Sequence, residues 1–421
     1  MKYSFIKKII DSTIILLLIF SSGGLLFVFN RNTCYLIFLG LLVFSFIFIG
    51  KSLKSSVINA ALLTLFSIVI LFSINYFYAI TEQSINKYFY YITVSLVSIF
   101  TLTYFINNRS YEELVKTIYF VLKLLVFHSL INFIVYFIFK NNLTTISSVN
   151  NDYETFSNLF FYMIKEKNVI DVFGIEFCRN MGVFWEPGVL QVFLNLFFFL
   201  EAFVFKQSKT LLFITAFVIL TTYSTTGIAI LLIQGLVYIY NVGRVNRLLI
   251  PVLFIFLLPV FIVFNINFDE KRIGVKSFSF QKRIFDLTQP FFIAIENPLT
   301  GIGLDIEKFI NFRQEFYFSS TVLTSLQDQV GVQATTVGTD KGSSNSVMFL
   351  LAGTGFPTTI LLLYMFFRQQ MIKEKKWLLM TILLISVMSE PLLLRPFFFI
   401  FIVSGFFHIF HKITSHKTQI E

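Results

Sequence analysis

Charged and turn-forming residues cut this chain into a series of apolar runs, most of them close to the roughly 20 residues a helix needs to cross a bilayer. That repetition constrains the fold more than any motif does. The run from Val57 to Ile80 holds no charged residue. Comparable runs lie near 12–30, 34–50, 57–79, 88–106, 116–139, 187–205, 210–223, 226–242, 248–265, 345–367, 377–393 and 396–411. Charged residues make up only 13% of the chain and apolar residues 56%, too little charge to clothe a water-exposed surface. The expected fold is an all-α, polytopic transmembrane helix bundle of about 12 spans, with short helices inside two large outer loops.

Basic residues in short loops set the orientation, because they are retained on the cytoplasmic side. With the N terminus inside, the inner segments carry Lys7, Lys8, Lys51, Lys54, Arg109, Lys206, Lys209, Arg244, Arg247, Arg368 and Lys373, among others. The short outer loops carry only Arg31, Lys87 and Arg395. An even span number places both termini in the cytoplasm. The chain then divides into spans one to five (1–139), a first outer loop (140–186), spans six to nine (187–265), a second outer loop (266–344), and spans ten to twelve with a cytoplasmic tail (345–421).

The net charge of +10 comes from basic residues that flank apolar runs in ones, twos and threes, which is topology and not a nucleic-acid surface. Cys34 and Cys178 have neither CxxC nor metal-ligand spacing and are expected as two inert thiols. Lys2, Lys7 and Lys8 imitate the start of a signal peptide, but hydrophobicity resumes after Ser21–Gly24 without a cleavage site, so an uncleaved first helix is expected. No internal repeat is visible, which weighs against a transporter built from inverted halves.

Three polar stretches stand out. Arg179-Asn-Met-Gly182-Val-Phe184-Trp185-Glu186-Pro187-Gly188 closes the first outer loop and opens span six. Pro187 suits a first helical turn and Glu186 complements the positive helix end, a structural role that leaves Arg179 unexplained. The second stretch runs from Arg283 and Asp286 to Asn297-Pro298-Leu299-Thr300-Gly301-Ile302-Gly303, a turn that either packs tightly or offers backbone N–H groups to an anion. The third, Ser344-Asn345-Ser346 leading to Gly353-Thr-Gly355-Phe356, either caps span ten or donates hydrogen bonds to a sugar or phosphate.

In this order the stretches resemble the O-antigen polymerase and ligase superfamily, most closely the Wzy-type oligosaccharide repeat-unit polymerases. The resemblance rests on Arg179, Gly182, Phe184, Glu186, Pro187 and Gly188, then Ser224, Thr226 and Gly227, then Arg283 with Asn297, Pro298, Leu299, Gly301 and Gly303, and last Asn345, Gly353, Gly355 and Phe356. Many ligases of the superfamily, and some polymerases, have His where this chain has Ser344. Its four histidines, His128, His408, His411 and His416, fall outside the expected outer loops. That departure weighs against a ligase and against a zinc site.

The resemblance implies transfer of a glycan from a polyprenyl diphosphate carrier onto a lipid-linked repeat unit at the outer face of a bacterial cytoplasmic membrane, with no cofactor, metal or nucleic acid. A chain-length regulator and a flippase are the implied protein partners. Arginine suits a departing diphosphate because it stays charged and grips phosphate oxygens with two donors. Arg179 and Arg283 are the expected arginines of the catalytic site. Glu186 is the expected base for the acceptor hydroxyl. Substrate contacts are expected from Arg272, Arg313, Asn297, Gly301, Gly303, Ser344 and Asn345. An ion pair with Glu176 or Asp286 is the competing role for these arginines. Glu390, beside Pro391, could instead pair with Arg395.

Overall fold

The computed structural model describes residues 2–48, 52–148, 151–165, 168–172, 174–243, 258, 260–269, 277–319 and 342–417. The first half of the chain forms α1 (Lys2–Phe20), the short α2 (Leu25–Phe29), α3 (Arg31–Phe48), α4 (Ser55–Tyr78), α5 (Ile85–Asn108) and α6 (Tyr111–Phe139). After the first long loop come α7 (Pro187–Phe199), continued by a π turn to Phe205, then α8 (Lys209–Thr221), α9 (Thr225–Gly243) and α10 (Val260–Asp269). The second long segment contains α11 (Ser277–Glu296) and α12 (Ile306–Ser319), and α13 (Ser346–Phe367), α14 (Lys376–Ser389) and α15 (Pro396–Lys417) follow.

Among the described residues, seven helices are long and apolar enough to cross a membrane: α3 to α7, α13 and α15. Four shorter apolar helices, α8, α9, α10 and α14, lie where further spans were expected. The first expected span is corrected. Its helix runs from Lys2 to Phe20 and stops at Ser21–Gly24, where Gly23 takes a φ of 153° and a Cβ would meet Val189 at 2.6 Å. The greater part of expected span nine lies outside the described residues, as does Arg272.

The first long loop departs from the expectation of short helices. Beyond one 3-10 turn at Lys140–Asn142 it forms β1 (Thr144–Ser147), β2 (Asp152–Phe156) and β3 (Phe160–Tyr162) in an antiparallel sheet, then a β4 (Val169–Val172) to β5 (Ile175–Cys178) hairpin. Alternation explains it: in Asp-Tyr-Glu-Thr-Phe the residues Tyr153 and Thr155 are buried while their neighbours are not, a period of two that a helix cannot serve.

Burial separates the helices into centre and rim. The α7 span is 89% buried, whereas α3 and α4 are 28% buried and turn residues such as Leu36, Leu62 and Phe66 outward, as a lipid-facing surface would. Helix α7 packs on α6, α8, α9 and α14, and α15 packs on α4, α5 and α13. At about 1.5 Å per residue, α8 and α14 rise only about 20 Å, short of a ~30 Å hydrocarbon core. Their loop-side ends, at Thr221 and Ser389, are buried within the bundle and form a recess of its loop face.

The Asn297–Gly303 turn is built into this frame. Helix α13 bends at Gly355, whose φ is 74°, with Pro357 just beyond. The turn fills the bend: Ile302 N–H donates to Ala352 O at 2.9 Å, Gly303 N–H to Gly353 O at 2.8 Å, and Phe356 N–H to Pro298 O at 2.8 Å. The α4–α5 connection closes over it, with Asn75 Nδ2 donating to the carbonyls of Thr300 and Gly353 and Gln83 Nε2 donating to Ile302 O.

Gly303 has a φ of 99°, and a Cβ there would stand 2.0 Å from Gln83. Gly303→Val should therefore cost about 1–3 kcal/mol for the backbone and a similar amount for overpacking. Thermal unfolding of the purified protein should show a clear fall in Tm, and an unchanged Tm would mean the turn is not held this way. The expected orientation has its own test. A cysteine replacing Glu82 should react with a membrane-impermeant maleimide in intact cells, and one replacing Glu374 only after permeabilisation.

Candidate functional site

Four helix ends converge on one point of the recess: the starts of α7 and α9 and the ends of α8 and α14. Asn180 sets the geometry. Its Nδ2 donates to Ser129 O at 2.8 Å and Thr221 Oγ1 at 3.1 Å, while its Oδ1 accepts from Asn132 Nδ2 at 3.0 Å and from Gly182 N–H at 3.1 Å. It is 1% exposed and fully satisfied, so it clamps the returning loop onto α6 and α8. The preceding residue, Arg179, is thereby laid over the α8–α9 turn, where its Nε donates to Thr222 O at 3.0 Å.

Arg283, on α11, reaches the same point and donates from Nη1 to Thr226 Oγ1 at 2.7 Å. Thr226 and its neighbours explain the Ser-x-Thr-Gly pattern. Ser224 Oγ accepts the Gly227 N–H at 3.4 Å, and a Cβ on Gly227 would meet Gln191 at 2.8 Å, so only glycine lets α9 approach α7 here. Glu186 precedes the Pro187 that opens α7 and accepts the indole N–H of Trp185 at 2.9 Å. It makes no side-chain cap, so the helix-start role proposed from sequence does not consume its carboxylate.

Sequence reasoning set aside one member of the cluster. Glu390, 6% exposed, follows the last residue of α14 and faces Glu186, with its carboxylate over Gly188, where a Cβ would lie 2.1 Å from Oε1. The pairing with Arg395 is not what the structure has; Arg395 donates instead to the Tyr90 hydroxyl at 2.7 Å. Burial, and next the charge of Glu186, push the Glu390 carboxyl well above the usual carboxylate range, against the opposing pull of Arg283 and Arg179. Burial lowers the Arg179 guanidinium, with Glu186 opposing and Arg283 adding to the effect. Among the described residues neither Arg179 nor Arg283 forms an ion pair. The cluster is therefore two guanidiniums beside two facing carboxyls, the one on Glu390 pushed up by burial.

The other expected site residues are engaged elsewhere. Arg313 is 1% exposed, donating to Asp286 Oδ1 at 2.8 Å and to Gln289 Oε1 at 2.5 Å. Ser344 donates to Asp286 Oδ2 from its N–H at 2.8 Å and its hydroxyl at 2.7 Å. Together they lock α11, and so Arg283, against α12 and the start of α13. Asn345 caps α13 by accepting the Met348 N–H at 3.0 Å, and Asn297 Nδ2 donates to Ile293 O at 2.8 Å. The N–H groups of Ile302, Gly303, Leu304 and Asp305 all have protein acceptors, so Gly301 and Gly303 shape a packing turn and not an anion nest. Cys34 and Cys178 are both free and buried, and burial pushes the Cys178 thiol up to about 12. Among the described residues no cluster of His, Cys, Asp and Glu could hold a metal ion.

Fold and site together define a polytopic membrane protein with a recessed, arginine-bearing polar site at one face. Residues 210–363 match the family model described as O-antigen ligase. That match supports the O-antigen polymerase and ligase superfamily, whose members are membrane glycosyltransferase-like enzymes acting on lipid-linked oligosaccharides. The matched stretch includes Thr226, Arg283, the Asn297–Gly303 turn, Ser344 and Asn345, while Arg179, Glu186 and Glu390 lie outside it. No curated protein and no solved structure matches the chain.

The raised Glu390 has a pH consequence. The native state binds this proton more tightly than the unfolded chain, so the associated stability is complete below the ordinary carboxylate pKa and is lost as pH rises through the raised value. Melting temperatures measured across a pH series should fall on the alkaline side for the native protein and fall less for Glu390→Gln, which mimics the protonated form. Parallel curves would argue against the retained proton.

Proposed function

We propose that the protein is a polysaccharide repeat-unit polymerase, moving a growing glycan from its polyprenyl diphosphate carrier onto a lipid-linked repeat unit at the outer face of the cytoplasmic membrane. The observation that supports it best is the pairing of two arginines free of ion pairs with the facing carboxyls of Glu186 and Glu390. In this reading the acceptor hydroxyl oxygen attacks the anomeric carbon of the donor sugar and the bond from that carbon to the diphosphate oxygen breaks. The hydroxyl proton passes to the Glu186 carboxylate. The polyprenyl diphosphate leaves with the bonding electron pair, its charge met by Arg179 and Arg283.

Burial raises the Glu390 carboxyl, which leaves Glu186 as the carboxylate of the facing pair that acts as base. The recess excludes bulk water, which strengthens both arginine contacts and protects the transfer from hydrolysis. The donor supplies its own leaving group, so the scheme calls for no nucleotide and no metal. A flippase that delivers repeat units and a regulator of chain length are the partners such a reaction needs.

A ligase would use the same family frame. The residue at issue is Ser344, which occupies the position of the ligase histidine and spends both its donors on Asp286, an arrangement that supports polymerase over ligase.

Deleting the gene should leave surface glycan with single repeat units, seen by gel profiling. Long chains of unaltered length would sink the polymerase reading, and long chains retained on the lipid carrier would favour ligase. In complemented cells with normal protein levels, Arg179→Ala, Arg283→Ala and Glu186→Gln should each reduce polymerisation by about 100-fold or more.

A further inference from the structure

A second polar cavity opens on the other side of Glu186. It encloses about 530 Å³, is lined by Arg31, Tyr35, Tyr153, Trp185, Glu186 and Arg395 among others, and does not include Arg179 or Arg283. It is held open by the helix break at Ser21–Gly24. Trp185 N–H donates to Gly23 O at 3.1 Å and Leu25 N–H to Val183 O at 2.9 Å, so the α1–α2 corner is stitched directly to the Glu-Pro-Gly segment.

Its two arginines are stacked but not neutralised. The Arg31 guanidinium carbon lies 3.7 Å from the centre of the Tyr90 ring, and that of Arg395 lies 5.8 Å from Tyr90 and 5.5 Å from Trp185. Among the described residues neither forms an ion pair, in contrast with the buried pairs Arg109–Asp11 at 2.7 Å and Arg313–Asp286 at 2.8 Å. A guanidinium that spends its face on a ring keeps in-plane N–H donors for a planar or tetrahedral anion. Arg395 gives one of these to the Tyr90 hydroxyl. Against the two arginines the lining sets one carboxylate, Glu186, so its charge is +1.

Tyr35, Tyr153 and Trp185 supply rigid aromatic surface of the kind that packs against the apolar face of a sugar ring, and it is held in place by their polar tips, which donate to Ser21 O, Trp185 O and Glu186 Oε1. The volume is within the range of ordinary small-ligand sites and has room for a short saccharide.

We infer that this cavity is the acceptor subsite and that it selects an acidic saccharide, a sugar bearing a carboxylate or phosphate held by Arg31 and Arg395. The assignment rests on the polymerase reading in one respect, that Glu186 is the base. A sugar seated here has its hydroxyls beside that carboxylate, while the donor diphosphate lies with Arg179 and Arg283. The two lipid-linked substrates thus meet across Glu186 without their anionic groups sharing one pair of arginines.

The chain holds two tryptophans, Trp185 in the cavity and Trp377, which is 80% exposed at the start of α14. Trp377→Phe therefore leaves Trp185 as the sole reporter. In nanodiscs of zwitterionic lipid, the full-length Trp377→Phe protein is titrated with glucuronic acid, glucose 6-phosphate and glucose while indole fluorescence is read. The acidic sugars should saturate the signal at concentrations at least about 10-fold below glucose, since one desolvated charge contact is worth about one factor of ten or more. Arg31→Gln, at an exposed helix start, should erase most of that preference, and Arg395→Lys should weaken it. Lys87→Gln, an outer cation already paired with Glu307, should leave it intact.

Equal response to glucose and glucuronic acid, or a preference that survives Arg31→Gln, would overturn the assignment. So would a signal saturated by adding phosphatidylglycerol to the discs and indifferent to the sugars, which would make the cavity a lipid headgroup site. Because nothing is turned over, failure here leaves the polymerase reading to its own test.

Discussion

Buried charge governs this molecule. A guanidinium or carboxylate at the depth of a membrane recess is costly unless a partner or a proton offsets it. The chain resolves that cost in two different ways on one face. Asp286 neutralises Arg313 and accepts both donors of Ser344, making a closed and fully satisfied hub. Arg179, Arg283, Glu186 and Glu390 lie close together yet, among the described residues, form no ion pair. The first arrangement is scaffold. The second keeps charge available to something that enters from outside.

The scaffold explains why the second can exist. Arg283 and Asp286 are three residues apart on α11, so the hub that fixes Asp286 also aims Arg283 at Thr226. The Asn297–Gly303 turn, threaded into the bend of α13, holds the far end of the same helix. On the other side, Asn180 clamps Arg179 over the α8–α9 turn, and Ser346 Oγ donates to Val387 O and Glu390 O, fixing the end of α14 from which Glu390 points. Arg179, Arg283 and Glu390 are thus each positioned by a hydrogen-bond network one residue or one turn away.

Much of this was legible beforehand. Apolar period and length announced the bundle, and Pro187 and Asn345 mark helix starts in the sequence as they do in three dimensions. Arg179, Glu186 and Arg283 stood out because they break the apolar and positive-inside patterns, and the structure brings all three together. Other expectations failed for reasons of context. Gly301 and Gly303 read equally as an anion nest or a packing turn, since both require the same positive φ; only the presence of α13 and Gln83 beside them decides. Arg313 read either as a substrate donor or as an ion-pair partner of Asp286, and Ser344 as a cap or a substrate donor; Asp286 is distant from both in the chain, so only the fold brings them together. Glu390 read as a membrane-face carboxylate able to pair with Arg395, because nothing in its neighbourhood announces that Gly188 leaves room above α7 for it.

What the sequence determined by itself was therefore the membrane class, the polar face and the identity of most charged groups, because hydropathy and helix-end chemistry are local. Which of those charges neutralise one another and which remain open was decided only by the tertiary structure. Pairing depends on distances between residues far apart in the chain, and a few ångströms separate a structural ion pair from a site able to hold a diphosphate.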